Sequence, residues 1–197
     1  MTEVRIATAG DLPTVAESLR RAFWDDPIMR YLLPDGVRGR EQRLAGLMRM
    51  EAKPAIAEGT VYTTAEGDAA AIWKAPGTWK LGGMELLKQS PQALSILRAG
   101  LLRGLSALSF IEKKHPTEPH WYLAVLGTVP EAQGKGKGSA LLRPVLDRCD
   151  EEGLPAYLES SKEQNVPFYE RHGFAVTEVV SLPKGGPQGW LMWRDPR

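Results

Sequence analysis

The sequence is poor in residues that bind metals or form disulfides. It contains one cysteine, Cys149, and three histidines, His115, His120 and His172, among 197 residues. A single cysteine cannot form an internal disulfide, and these four residues match no common metal-ligand spacing. We therefore predict no metal, and we expect Cys149 to be a small buried residue on a helix face.

The sequence also lacks an excess of either charge and a long apolar run. Lys and Arg number 25 against 24 Asp and Glu, so there is no overall positive field to attract nucleic acid or an anionic membrane. No apolar run reaches the ~20 residues that span a bilayer, and the N-terminus has no signal-peptide pattern. We expect a cytoplasmic monomer or homodimer with a small-molecule partner, no nucleic acid and no membrane partner.

Length and composition favour one folded domain over residues 1–197, because apolar residues make up 43% of the chain. Apolar runs and turn residues predict strands at 4–6, 60–64, 69–74, 121–129, 156–160, 174–182 and 190–194. Helical periodicity predicts helices over 12–23, from 27, around 44–48, across 84–114, after residue 136 and over 166–172. In the fourth helix, we expect the stripe of Leu94, Leu97, Leu101 and Leu105 to lie in the core.

A glycine-rich loop, Gln133–Ser139, joins the buried strand at 121–129 to the next helix. Its three alternating glycines let backbone N–H groups approach a ligand at a helix N-terminus, which favours a diphosphate. Gly138 is followed by Ser139 and then Ala140, so the Walker motif is absent, and the dinucleotide fingerprint G-x-G-x-x-G also fails. The alternative is a surface turn carrying two solvated lysines.

Two motifs in the correct order resemble the GNAT family of N-acetyltransferases. Gln133-x-x-Gly136-x-Gly138 matches the family signature Q/R-x-x-G-x-G/A. The segments Tyr157–Ser161 and Asn165–Phe174 resemble its strand, Asn and Tyr-x-x-x-Gly-Phe pattern, and the similarity extends over nearly the whole chain. It implies a mixed α/β (α+β) fold with a central, mostly antiparallel twisted sheet, flanking helices and splayed central strands.

The resemblance implies an acetyl-CoA-dependent N-acetyltransferase that acts on a primary amine without a metal. Strand backbone near the thioester would polarise its carbonyl, and Asn165 would bind the pantetheine unless it only caps a helix. The implied residues for acetyl-CoA are Leu126, Gly127, Thr128, Val129, Gln133, Gly134, Lys135, Gly136, Lys137, Gly138, Ser139, Asn165 and Phe168.

The implied catalytic residues are Tyr169 and Glu159. Tyr169 corresponds to the tyrosine that protonates departing coenzyme A, and a phenol of pKa ~10 suits a thiol of pKa ~8.5; the alternative is a packed aromatic. Glu159 is expected to act as general base, directly or through a water, or else to be an exposed carboxylate at a strand end.

The implied acceptor pocket contains Trp24, Asp25, Asp26 and Tyr31, between the first two helices. An acidic pair there would attract a cationic amine, although Asp26 could instead cap the helix that begins at Pro27.

Within the family, the segment Val166–Arg171 resembles the branch that acetylates puromycin, which implies an aminonucleoside or antibiotic-like small molecule. The acceptor segment differs, because that branch carries a tyrosine where this chain has Asp26. Two other functions stay open. A non-catalytic acyl-CoA-binding regulator would not need Tyr169 or Glu159, and a protein or peptide N-acetyltransferase would leave no short motif.

Overall fold

One seven-stranded sheet crosses the part of the chain that the computed structural model describes, residues 2–80 and 91–197. The strands are β1 (Val4–Ile6), β2 (Val61–Thr64), β3 (Ala69–Lys74), β4 (Trp121–Thr128), β5 (Ala156–Ser160), β6 (Ala175–Ser181) and β7 (Gln188–Arg194). They lie in the order β1-β2-β3-β4-β5-β7-β6, and every neighbouring pair is antiparallel except β4 and β5. The predicted mixed, mostly antiparallel fold is confirmed.

Helices connect and cover these strands. They are α1 (Leu12–Ala22), α2 (Pro27–Leu32), α3 (Arg40–Ala57), α4 (Pro91–Leu97), α5 (Leu101–Lys114), α6 (Lys137–Glu152) and α7 (Val166–Glu170). The start of the first helical segment is stabilised by the Thr8 N–H, which donates to the Asp11 carboxylate at 2.8 Å. Gly153 ends α6 in the left-handed conformation, with φ 65°.

Apolar helix faces pack on both sides of the sheet. On one side α1 and α3 pack on β2 and β3, where Leu19, Leu44 and Ile72 are fully buried. On the other side α6 buries Leu142 and Cys149 against β3, β4 and β5. The buried positions of α6 recur at steps of three and four, so the predicted inward face of this helix and the burial of Cys149 are confirmed.

The prediction that one leucine stripe across residues 84–114 lies in the core is wrong. Leu94 and Leu105 are 54% and 51% exposed, while Leu97 and Leu101 are half-buried. A 3-10 turn at Arg98–Gly100 separates α4 from α5, and the bend between them is 117°. The four leucines therefore do not share one face, and residues 84–90 of the predicted helix lie outside the described residues.

No single helix among the described residues has the length and apolar character of a membrane span. The bent pair α4 and α5 meets that test together, by length and composition.

The two parallel strands separate early. Over the described residues β4 and β5 pair last at Leu123 and Leu158. Beyond that point β4 continues to Thr128 against β3, and β5 continues to Ser160 against β7. The splayed central strands that the family resemblance implied are therefore present, and each strand has an unpaired backbone edge facing the other.

A β-bulge marks the separation point. Leu123 pairs with Trp73 and Val125 pairs with Ile72, so Ala124 is an extra residue in β4. A bulge bends its strand and increases its twist. The bend therefore coincides with the point where β4 leaves β5.

Helix α1 lies very close to Gly127, in the part of β4 that pairs with β3 but no longer with β5. A Cβ built on Gly127 would lie 2.9 Å from Ala22 Cβ and 2.9 Å from Leu19 Cδ2. Carbon atoms do not approach so closely, and the Ala22 Cβ cannot move without the backbone of the helix. Glycine at this position lets α1 pack against the strand.

We predict that Gly127→Ala destabilises the fold by overpacking this contact. The free energy of unfolding, measured by urea denaturation, should fall by about 1–3 kcal/mol. Gly10→Ala is the matched control, because its Cβ would have Thr8 Oγ1 as its nearest neighbour at 3.8 Å, and it should be neutral or slightly stabilising. Equal effects of the two substitutions would contradict the close approach.

Candidate active site

The separation of β4 and β5 opens a cleft of about 810 Å³ that brings most of the predicted site residues together. Those that line it are Trp24, Asp25, Asp26, Leu126, Gly127, Thr128, Gln133, Gly134, Gly136, Lys137, Gly138, Ser139, Glu159, Asn165, Phe168 and Tyr169. Three predicted residues, Tyr31, Val129 and Lys135, are not among the lining residues.

The glycine-rich loop and the N-terminus of α6 form one end of the cleft. Gly134 and Gly136 have φ values of 74° and 76°, and a Cβ on either would meet no atom within 4 Å. Gly136 is the N-cap of α6, so the N–H groups of the first turn are available at the cleft. These groups and the helix dipole favour an anion at this end.

The two lysines of the loop are both engaged elsewhere. Lys137 Nζ pairs with Asp68 at 2.5 Å and with Glu66 at 3.3 Å. Lys135 Nζ donates to the backbone oxygen of Glu131 at 3.0 Å, and Lys135 lies outside the cleft lining. At this end the first turn of α6 still presents its backbone N–H groups to the cleft.

Tyr169 lies deep in the cleft wall. Its side chain is 8% exposed and packs against Phe168 and Phe174. Burial raises the pKa of Tyr169 above its ordinary value, and the nearby Asp26 carboxylate raises it further. The phenol therefore stays protonated throughout the neutral range and can donate a proton.

Glu159 extends from β5 just beyond the last residue paired with β4. One carboxylate oxygen, Oε2, accepts a hydrogen bond from the Tyr122 hydroxyl at 2.6 Å, and the side chain is 11% exposed. Side chains alternate along a strand, so Leu158 packs in the core under α6 while Glu159 lies on the opposite face with Tyr157. The alternative of an exposed strand-end carboxylate is therefore wrong, because Glu159 is largely buried.

Asp25 and Asp26 are present at the cleft, but both have partners. The Asp26 Oδ1 accepts from the N–H groups of Ile28 and Met29 at 2.9 and 3.1 Å, so Asp26 caps α2. The Asp25 carboxylate pairs with Lys162 at 2.8 Å. The capping interpretation of Asp26 is confirmed. Asp25 has a cationic partner, whereas Asp26 is held by neutral hydrogen-bond donors.

The remaining oxygen of Asp26 joins the acceptor segment to the end of β5. The Ser161 hydroxyl donates to Asp26 Oδ2. Trp24, in the same segment, is held by Arg40. The Arg40 guanidinium lies 4.2 Å from the Trp24 ring centroid, and it donates a hydrogen bond to the Trp24 backbone oxygen at 2.8 Å. The segment between α1 and α2 is therefore fixed against the cleft.

Tyr31 is placed differently from the prediction. Its hydroxyl donates to the backbone oxygen of Pro183 at 2.8 Å, in the turn between β6 and β7. The side chain therefore links α2 to that turn, and it does not line the cleft.

Asn165 lines the cleft as the last residue of a 3-10 turn before α7. Its side chain makes no capping hydrogen bond to the described backbone of α7. The alternative of a helix cap is therefore not observed, and the carboxamide is available to a ligand.

Residues that the sequence analysis set aside lie directly behind Glu159. His115 and His120 are buried beside Tyr122 and Tyr157. A signal for this cluster is present in the sequence, because His120 and Tyr122, like Tyr157 and Glu159, are two residues apart and so share a strand face.

Comparisons with known proteins agree with this geometry. The profile of the family described as "Acetyltransferase (GNAT) family" matches residues 61–174. An uncharacterised N-acetyltransferase of Schizosaccharomyces pombe is 30% identical over 213 residues, covering 95% of this chain and 81% of that protein.

Two solved structures show the same fold over their full length. One is described as histone acetyltransferase HPA2 and related acetyltransferase from Corynebacterium glutamicum, with a TM-score of 0.76, 27% identity and coverage of 100% of this chain and 98% of that chain. The other is the polyamine N-acetyltransferase of Drosophila melanogaster, with a TM-score of 0.65, 15% identity and coverage of 99% and 100%.

Proposed function

Because the chain belongs to the GNAT family of acetyltransferases, we propose that it transfers an acetyl group from acetyl-CoA to the primary amine of a small molecule. The observation that carries the proposal is the cleft between β4 and β5. It joins an anion-binding helix N-terminus, an unpaired strand edge and the buried phenol of Tyr169 in one continuous space.

The two ends of acetyl-CoA match different parts of this cleft. The first turn of α6 and the loop at Gly134 and Gly136 offer N–H groups to the pyrophosphate. The backbone of β4 after Leu123 is unpaired on the side of β5, and buried backbone groups need hydrogen-bond partners. The amide groups of the pantetheine arm would supply them, with Asn165 at the side of the cleft as a further partner.

The chemistry needs an oxyanion donor, an acid and a base. A backbone N–H near Leu126–Thr128 would stabilise the oxyanion of the tetrahedral intermediate. Tyr169 is in the protonated form that a leaving thiolate requires. Glu159, at the cleft and held by the Tyr122 hydroxyl, would accept the proton of the amine directly or through a water.

A small acceptor fits the acceptor end of the cleft. This end is bounded by Trp24 and by the contact of Ser161 with Asp26, both fixed by hydrogen bonds. The Drosophila protein with the same fold is named as a polyamine N-acetyltransferase. The Corynebacterium structure carries the name of a histone acetyltransferase, so a peptide amine is the competing acceptor.

A panel of amines tests the acceptor class. We expect acetyl-CoA-dependent thiol release with at least one small primary amine among a polyamine, an arylalkylamine, agmatine and puromycin, and much slower release with a lysine-containing histone peptide. Faster turnover of the peptide would replace the small-molecule acceptor by a protein acceptor. Binding of acetyl-CoA without transfer to any of these would favour the non-catalytic regulator.

We predict that acetyl-CoA stabilises the fold through the N-terminus of α6. At ~100 times its Kd the ligand should add about 2.7 kcal/mol to the free energy of unfolding, whereas NAD and ATP at equal concentration should add much less. Gly136→Ala should remove most of this effect, because the new Cβ lies where the pyrophosphate approaches.

Gly153→Ala is the matched control for that measurement. Gly153 lies at the other end of α6, has a similar φ of 65° and also has open space at its Cβ position. Both substitutions impose comparable backbone strain, so thermal denaturation with and without acetyl-CoA isolates the loss of binding. If acetyl-CoA stabilised Gly136→Ala as strongly as Gly153→Ala, the loop would be an ordinary turn.

We predict that Tyr169→Phe slows transfer by about 10²–10⁴, chiefly in kcat, because the leaving thiolate loses its proton donor while the ring is kept. Tyr62→Phe, on β2, removes a hydroxyl outside the cleft and should leave kcat unchanged. Since the pKa of Tyr169 is raised, the wild-type rate should show no loss from its ionisation between pH 6 and 9. A Tyr169→Phe variant as fast as wild type would make Tyr169 a packing residue.

A further inference from the structure

Behind Glu159 the side chains of His115 and His120 form a row of polar contacts. The two Nε2 atoms are 3.0 Å apart, and His120 Nδ1 lies 2.6 Å from the backbone oxygen of Glu118. At the other end His115 Nδ1 lies 3.4 Å from Glu159 Oε1. The row therefore connects a surface carbonyl with the carboxylate at the cleft.

The three contacts of this row need three protons. A carbonyl oxygen only accepts, so His120 carries a proton on Nδ1 and, when neutral, accepts at Nε2 from His115. His115 Nδ1 would then present a lone pair to the carboxylate of Glu159. Two neutral imidazoles supply two protons, so a hydrogen bond between His115 and Glu159 requires a third proton between them.

Burial makes an unsatisfied contact costly at this position. His115 and His120 are 6% and 1% exposed, and Glu159 Oε1 is buried without a hydrogen-bond partner among the described residues. The indole of Trp79 stacks on His115 with 3.7 Å between the ring centroids, a contact that stabilises a cationic imidazole. Burial lowers the pKa of His120, which keeps that ring neutral and leaves the third proton at the Glu159 end.

Other titratable groups around the row do not compete for this proton. Burial raises the pKa values of Tyr122 and Tyr157, so both phenols stay neutral. Glu51 of α3 and Glu178 of β6 each face a lysine, at 3.7 and 2.6 Å. The side chain of Glu118 is exposed on the surface, and Glu159 is the carboxylate that contacts the row.

We propose that Glu159 and His115 hold one proton jointly, and that His120 fixes this arrangement by pointing its own Nδ1 proton at the Glu118 carbonyl. The two histidines are positioning residues, because they act on the reaction through Glu159. The pair, rather than an isolated carboxylate, is then the acid–base unit beside the cleft.

The role of the pair in transfer rests on the proposed function. After the pair has released its shared proton to solvent, the amine lone pair forms the C–N bond to the acetyl carbon while the C=O π electrons move to oxygen, and they re-form the carbonyl when the C–S bond breaks. The N–H bond then breaks, its electrons stay on nitrogen, and its proton passes to Glu159 and is shared with His115. The C–S bond breaks with its electrons on sulfur, and Tyr169 supplies the proton of the thiol.

Histidine NMR counts the protons without any substrate. The chain has three histidines, so a sample labelled with ¹⁵N in the imidazole rings gives few signals, and His172 is assigned by its loss in His172→Gln. In the wild-type protein at pH 7 we expect three protons on the four ring nitrogens of His115 and His120, with His120 protonated at Nδ1. Two protons, one on each ring, together with the ¹³Cδ chemical shift of an ionised Glu159, would overturn the shared-proton arrangement, whereas two ring protons with a protonated Glu159 carboxyl would support it.

Glu159→Gln provides the matched perturbation. The carboxamide can donate its own N–H to His115 Nδ1, so the two rings should then carry two protons in place of three. Glu17→Gln, on the outer surface of α1, should leave three. Three protons in Glu159→Gln would show that Glu159 does not hold the extra proton.

The pH dependence of kcat tests the catalytic role separately. His115→Gln should move the acidic limb of kcat to lower pH by at least one pH unit and lower kcat, with little change in KM, because the carboxylate no longer shares its proton. An unchanged limb would overturn the catalytic role, even where NMR confirms the shared proton. If no amine is acetylated, the proposed acceptor class fails, and the proton count is still decided by NMR.

Discussion

The early separation of β4 and β5 is the constraint on which the rest of the site depends. Parallel strands normally continue their hydrogen bonds for as long as both run side by side, and leaving a buried edge unpaired costs free energy. Here the pairing stops at Leu123 and Leu158, although both strands continue against their outer neighbours. The bulge at Ala124 bends β4 at that position, and Gly127 lets α1 support the strand after it. The structure therefore maintains a backbone edge that a ligand can complete.

Strand alternation then divides the chemistry between the two faces of the sheet. Leu123 and Leu158 point into the apolar core under α6, which supports the floor of the cleft. Tyr122, Tyr157 and Glu159 point to the other face, where they meet His115. Burying a polar group is costly unless the group is paired, and on this face the side chain of His115 lies against the Glu159 carboxylate.

Features that depend on local sequence could be predicted, and features that depend on distant partners could not. The inward face of α6 and the glycines of its loop follow from periodicity and from the conformations that glycine permits. Lys135 and Lys137 have partners on Glu131, Asp68 and Glu66, two of which come from a hairpin about 70 residues away in sequence. No local pattern shows that the charge of Lys137 is already compensated.

The exposed leucines and the position of Tyr31 show the same dependence on distant parts of the chain. The leucines of α4 and α5 have helical spacing, but a bend of 117° rotates the second helix away from the first. Tyr31 is near the acceptor segment in sequence, yet its hydroxyl finds a carbonyl at Pro183. The row behind Glu159 was not predicted, because its members come from a Pro-rich connection and two strands. Only the register of those strands brings them into contact.

Charge pairing at the cleft also limits how the acceptor can be chosen. Asp25 is compensated by Lys162, and Asp26 is used by the N–H groups of α2 and by Ser161. If Glu159 shares a proton with His115, that pair carries no net charge either. Among the described residues that line the cleft, Asp26 is then the carboxylate that has no cationic partner, and its oxygens already accept hydrogen bonds. Selection of the amine therefore falls largely to the shape of the cleft and to short hydrogen bonds. Such a site gains most from an amine that gives up its proton on entry, which is the form that attacks the thioester.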